Sequence, residues 1–99
     1  MDRTDTIVKS QMELKRPNMW TCVFLNDNYT PMEFVTEVLV NIFNQTKEAA
    51  TIIMLRVHRE GKCNVGHYPR DIAEQKASDA VLYAIRADHP LQVIPTQII

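Results

Sequence analysis

The triplet Asn26-Asp27-Asn28 follows directly on an apolar run and stands just before Thr30-Pro31. Amide and carboxylate oxygens crowded in this way either close a turn by accepting nearby backbone N–H groups or converge on a bound cation or amine. A second cluster is Met54, Val57 and His58, whose spacings put them on one face of a helix, with a thioether one turn below an imidazole. Core packing accounts for the Met and the Val. The histidine at the edge of that face is either a satisfied core residue or a hydrogen-bonding group for an amine. A third grouping, His58, Cys63 and His67 with Cys22 or His89 as further donors, lacks the paired Cys-x2-Cys or His-x3-His ligands of closed zinc sites. No metal site is expected from it. The chain also has no Gly-rich phosphate loop, no Gly-x-Ser-x-Gly elbow and no close Cys/His pair, a pattern that points to binding rather than catalysis.

The elements that must hold these residues are legible from period and punctuation. Residues 1–18 carry scattered charges and close on Lys15-Arg16-Pro17-Asn18, which reads as a flexible tail ahead of one domain over 19–99. Met19 to Leu25 is a short run rich in aromatic and β-branched residues, the pattern of a buried strand. A helix is predicted from Pro31 to near Asn44, with Thr30 as its cap, Glu33 closing a capping box, and Tyr29 and Phe34 forming a hydrophobic staple. Its apolar face is Met32, Val35, Leu39, Ile42 and Phe43, and its polar side is Glu33, Glu37, Asn41 and Asn44.

A second helix follows Thr46 and stops at Gly61 after about Glu60, with Ala50 and Ile53 sharing the face of Met54, Val57 and His58. Lys62 to His67 reads as a strand. A third helix from Pro69 to about Ala87 buries Ile72, Ala73, Ala77, Ala80, Val81 and Ala84, and Leu91 to Ile94 is the last strand. The order strand, helix, helix, strand, helix, strand predicts an α+β fold, a small three-stranded and mainly antiparallel sheet packed against three helices.

Composition narrows the function classes. The 99 residues are 45% apolar and 23% charged with two glycines, as in an ordinary globular domain, and the length rules out a large interior cavity. A net charge of −1 offers no broad basic surface to neutralise phosphates, so nucleic acid is not an expected partner. No run approaches a membrane span of ~20 apolar residues, and MDRTDTIVKSQ lacks the apolar core of a signal peptide. With two cysteines far apart in sequence and no framework of others, a reduced chain in the cytoplasm, or in an organelle stroma, is the simpler expectation.

Four collinear stretches resemble the ClpS family. FLNDNYTPMEFVTEVL, from Phe24 to Leu39, is similar to the signature in which a strand ends in Asn-Asp-Asp and Tyr-Thr-Pro-Met-Glu-Phe-Val opens the first helix. MLRVHREGK, from Met54 to Lys62, resembles Met-Leu-x-Val-His-x-x-Gly-Lys. DIAEQKA, from Asp71 to Ala77, resembles Val-Ala-Glu-Thr-Lys, and His89-Pro90-Leu91 matches the His-Pro-Leu before the last strand.

The resemblance implies an adaptor, not an enzyme, without a cofactor. Such an adaptor binds N-degron proteins beginning with Leu, Phe, Tyr or Trp and delivers them to the amino-terminal domain of ClpA or ClpC, the AAA+ partners of ClpP. Carried onto this chain, Asn26, Asn28 and His58 meet the free α-amino group. Met32, Val35, Met54, Val57 and Leu91 line the pocket for the first side chain, with Asp27 and Thr30 supporting the turn. Asp71 and Lys76 dock on the unfoldase, and the tail is engaged during delivery. The chain departs from the pattern at Asn28, where the family usually has a second aspartate. Affinity and side-chain preference are therefore open to change, and a second reading is a regulatory module that docks on the unfoldase with altered or lost N-degron specificity.

Overall fold

The computed structural model describes residues 18–99, so the expected tail falls outside the described residues except for Asn18. Six elements follow in the predicted order: β1 (Met19–Leu25), α1 (Met32–Asn41), α2 (Lys47–Glu60), β2 (Lys62–Pro69), α3 (Arg70–Arg86) and β3 (Gln92–Gln97). The fold is α+β, with three helices and one three-stranded antiparallel sheet in the order β2-β1-β3.

The most apolar strand, β1, takes the centre, where both of its edges are paired. Phe24 stands between Cys63 of β2 and Val93 of β3. Alternation then sorts the sheet into two faces. Cys22, Phe24, Cys63, Val65 and Val93 are buried toward the helices, while Val23 and Leu25 are only half-buried on the other face and Ile94 is exposed. The register slips between Trp20 and Cys22 on the β2 side, and the buried Thr21 hydroxyl there donates to the Val65 carbonyl at 3.2 Å.

α3 closes the inner face with a stripe of small side chains. Ala73, Ala77, Ala80 and Ala84 are all buried, which lets the helix lie close to the strands. At its amino-terminal half the Cys22 thiol donates to the Ala73 carbonyl at 3.3 Å, and burial pushes that thiol's pKa up to about 11. Cys22 and Cys63 are both free. Ile72, predicted to be buried, is instead 42% exposed. It precedes the first alanine of the stripe by one position, and the ~100° turn per residue carries it off the packed face.

The turns that aim the site depart from the expected start of α1. Pro31 occupies the N-cap with no side-chain cap, and the helix begins at Met32 rather than Pro31. Thr30 does not cap, because its hydroxyl donates to Asp27 at 2.8 Å, and the capping box with Glu33 does not form. The staple fails as well: Tyr29 is 81% exposed, and Phe34 stacks on Tyr83 and meets His89 edge-on, with ring centroids at 5.4 and 4.5 Å. The regular helix stops at Asn41, and the turn that follows closes on Asn44 in the left-handed region at φ 57°.

α2 follows its signals closely. The Thr46 hydroxyl oxygen accepts the Ala49 N–H at 3.1 Å, and Gly61 ends the helix at φ 91°. Both later strands run past the residues predicted for them, β2 to Pro69 and β3 to Gln97.

Candidate functional site

The site forms where β1 ends beside the end of α2. The Asn26 N–H donates to the Gly61 carbonyl at 2.9 Å, and Gly61 in turn donates to Val57. A glycine at the left-handed stop of α2 thus pins the start of the Asn26-Asp27-Asn28 turn to the helix that carries His58. One residue on, the carboxylate of Asp27 organises the turn itself. One oxygen accepts the N–H groups of Tyr29 and Thr30 at 2.8 and 2.6 Å, and the other accepts the Thr30 hydroxyl. Burial pushes the Asp27 carboxyl up, but these hydrogen bonds and the charge of His89 outweigh it, leaving its pKa below the ordinary value. Asp27 remains a carboxylate, occupied by its own backbone.

A pocket of about 240 Å³ opens at this junction. Asn26, Asp27, Asn28, Thr30 and His58 supply its polar part. Val35 from α1 and Val57 from α2, 7% and 3% exposed, form its apolar base, and Met32 and Met54 stand as walls. Nine of the residues singled out from sequence therefore meet around one cavity. They come from three segments: the turn after β1, the first turns of α1, and the last turns of α2.

Three other candidates lie elsewhere. Leu91 is 2% exposed in the core and is not among the lining residues, because it begins the inward alternation that Val93 continues. Asp71 is exposed in the first turn of α3, where a carboxylate suits the helix dipole. Lys76 is half-buried, and its ammonium donates to the Ile42 carbonyl at 2.8 Å and lies over the rings of Phe43 and Tyr68 at 5.8 and 5.7 Å. That contact ties α3 to the end of α1.

Among the described residues no group of three or more His, Cys, Asp or Glu side chains is placed to hold a metal ion, and no helix is long and apolar enough to cross a membrane. Sequence reasoning missed a larger groove of about 590 Å³ between α1 and α2, which shares Met32 and Met54 with the small pocket. Its signal was present in the spacing of Thr36 and Val40, four apart and one position outside the apolar stripe of α1.

What this arrangement can do is bind. A polar rim at the end of two backbone segments can hold an ammonium group, and the apolar base behind it can take one side chain. The comparisons with known proteins point to one family. The family model described as "ATP-dependent Clp protease adaptor protein ClpS" matches residues 15–94. Proteins of Burkholderia cenocepacia and Burkholderia multivorans, each named ATP-dependent Clp protease adapter protein ClpS, are 47% identical over 95 residues, spanning 94% of this chain and 91% of theirs. The structure of Agrobacterium tumefaciens ClpS2 bound to L-phenylalaninamide is similar with a TM-score of 0.81 and 37% identity, over 84% of this chain and all of that one.

Proposed function

The chain belongs to the ClpS family of Clp protease adaptors, and we propose that it binds proteins through a free amino terminus followed by a bulky apolar side chain. Leu, Phe, Tyr and Trp are the residues it takes, and it delivers the bound protein to the amino-terminal domain of a ClpA- or ClpC-type unfoldase for degradation by ClpP. The observation that carries this reading is the 240 Å³ pocket, with Val35 and Val57 at its base and Asn26, Asn28 and His58 at its polar side. The size suits one side chain rather than a peptide.

Burying that side chain contributes roughly 1.5–3 kcal/mol, enough for affinity but not for telling a terminus from an internal residue. The polar rim supplies that distinction. Asn26 and His58 hydrogen-bond the α-ammonium, and an internal residue in the pocket would leave them unpaired. The relative whose structure holds L-phenylalaninamide, an aromatic residue with a free amine, supports the same chemistry here. Asp71 is the residue offered to the unfoldase, because it stands exposed on α3. Lys76, half-buried on the same helix, shares that role.

The substitution at Asn28 favours a second reading, a divergent member that docks on the unfoldase with altered first-residue preference. Titration with short peptides differing only at residue one separates the two. Tight binding of Leu, Phe, Tyr and Trp peptides, and none of Ser or Glu peptides, supports the first reading. Equal, weak binding of all would leave only the second.

A further inference from the structure

The groove between α1 and α2 is a separate cavity from the first-residue pocket, more than twice its size at about 590 against 240 Å³. The two share the side chains of Met32 and Met54, so a chain that leaves the pocket on that side crosses the lip of the groove. Val40 adds to its apolar floor. The rim is charged and unbalanced, with Glu33 and Glu37 one helical turn apart on α1 against Lys47 at the start of α2. Glu37 is held in place by the hydroxyl of Tyr83 on α3.

We infer that this groove receives the substrate segment following the first residue, and that it takes a side chain with an apolar stem and a cationic tip, Lys or Arg, from position two, three or four. The inference rests on the reading of the smaller pocket given above. An extended chain advances about 3.3 Å per residue, so these positions lie roughly 3–10 Å from the first and reach a cavity that adjoins it. Arg and Lys lay their methylenes on apolar surface while keeping the charged head at the rim, which matches a methionine and valine floor beneath two carboxylates. The methionines also let the floor adapt to different stems, as polarizable unbranched side chains do.

The experiment measures dissociation constants of the full chain for L-phenylalaninamide and for pentapeptide amides Phe-Ala-Ala-Ala-Ala in which one Arg is moved through positions two, three and four. One placement is expected to bind roughly three- to fivefold more tightly than the all-alanine chain, a gain of surface ion-pair size that shrinks at high salt. Glu33→Lys is expected to remove that gain while leaving L-phenylalaninamide binding unchanged, which also shows that the variant folds. An Arg gain at no position, or a gain insensitive to both salt and Glu33→Lys, overturns the inference while the pocket reading stands. Failure of L-phenylalaninamide to bind overturns the pocket reading and the groove with it. Self-association of the unliganded chain that peptide reverses would assign the groove to a second copy, and equally overturn it.

Discussion

Asp27 and Thr30 are joined twice across one turn: the Thr30 N–H meets one carboxylate oxygen at 2.6 Å and the Thr30 hydroxyl meets the other at 2.8 Å. With the Tyr29 N–H also on that carboxylate, most of its acceptor capacity goes to the turn that frames the pocket. The only acidic side chain of the triplet is therefore a positioning group. On the proposed function, a substrate ammonium is expected to be met by its neighbours, Asn26, Asn28 and His58.

Removing this group is expected to loosen the turn. Asp27→Ala should lower stability by about 1–2 kcal/mol, the size of a lost side-chain cap on backbone N–H groups, as read by urea unfolding near neutral pH. Because hydrogen bonding holds the folded-state pKa of Asp27 below its ordinary value, the carboxylate's contribution is fully present above the usual aspartate range. It is lost as pH falls through that range and below it. The stability gap between the native chain and Asp27→Asn should accordingly narrow in acid. A gap independent of pH would mean that the turn needs the side chain's shape and not its charge.

Met32, 42% exposed and forming a wall of both cavities, is expected to gate against branching at Cβ. Val and Ile carry bulk next to the backbone, where a methionine wall crowds them, whereas Leu and Phe branch further out. Peptides beginning with Leu or Phe are expected to bind at least ~10-fold more tightly than those beginning with Val or Ile, a difference of about 1.4 kcal/mol. Met32→Ala should raise affinity for Val and Ile peptides selectively. Equal binding of Val and Leu peptides by the native chain would remove Met32 from this role.

The amine contact is tested from both partners. Acetylating a Phe peptide should abolish binding, since the rim then loses its ammonium. His58→Ala, on the exposed edge of α2, should weaken binding of the free peptide by about 1.5–3 kcal/mol, the range for hydrogen bonds to charged groups. It should leave thermal stability nearly unchanged. An acetylated peptide that binds as well as the free one would show that the pocket reads side chains alone.

At Asn28 a missing charge can be restored. Two opposite charges about 4 Å apart attract by roughly 4 kcal/mol gross at an effective dielectric of ~20, which exposure at the mouth reduces to about 1 kcal/mol net. Asn28→Asp should tighten binding about fivefold, equally for Leu, Phe and Trp peptides, with the gain falling as salt is added. A gain confined to one side chain would mean that Asn28 shapes the pocket instead.

Element order and type were legible because each element carries its own punctuation. Thr46 and Gly61 bracket α2 by local chemistry alone, and the structure uses both as their types suggest. At the start of α1 the same reasoning failed. Thr30 has two acceptable roles, cap or turn partner, and Asp27, three residues earlier, competes successfully for its hydroxyl. Periodicity found the alanines of α3 but could not fix the edge of the buried stripe, so Ile72 fell outside it. Six of the nine residues around the small pocket stood out by type and spacing, but only resemblance joined them in one site, because three segments converge on it. Leu91 lies beyond that convergence, and the groove with Thr36 and Val40 is made by the packing angle of two helices, which neither helix encodes alone.

The strand order β2-β1-β3 also sets when this molecule can exist. β1 is made early but pairs along both edges with strands that follow it, and Trp20 finds its partner Gln97 only across nearly the whole described chain. Such pairings close long loops before they gain contacts, which slows folding relative to a helical bundle of equal length. During synthesis the β3 edge of β1 stays open until the last strand leaves the ribosome, and an open edge rich in aromatic and β-branched residues is the segment most prone to pair with another chain.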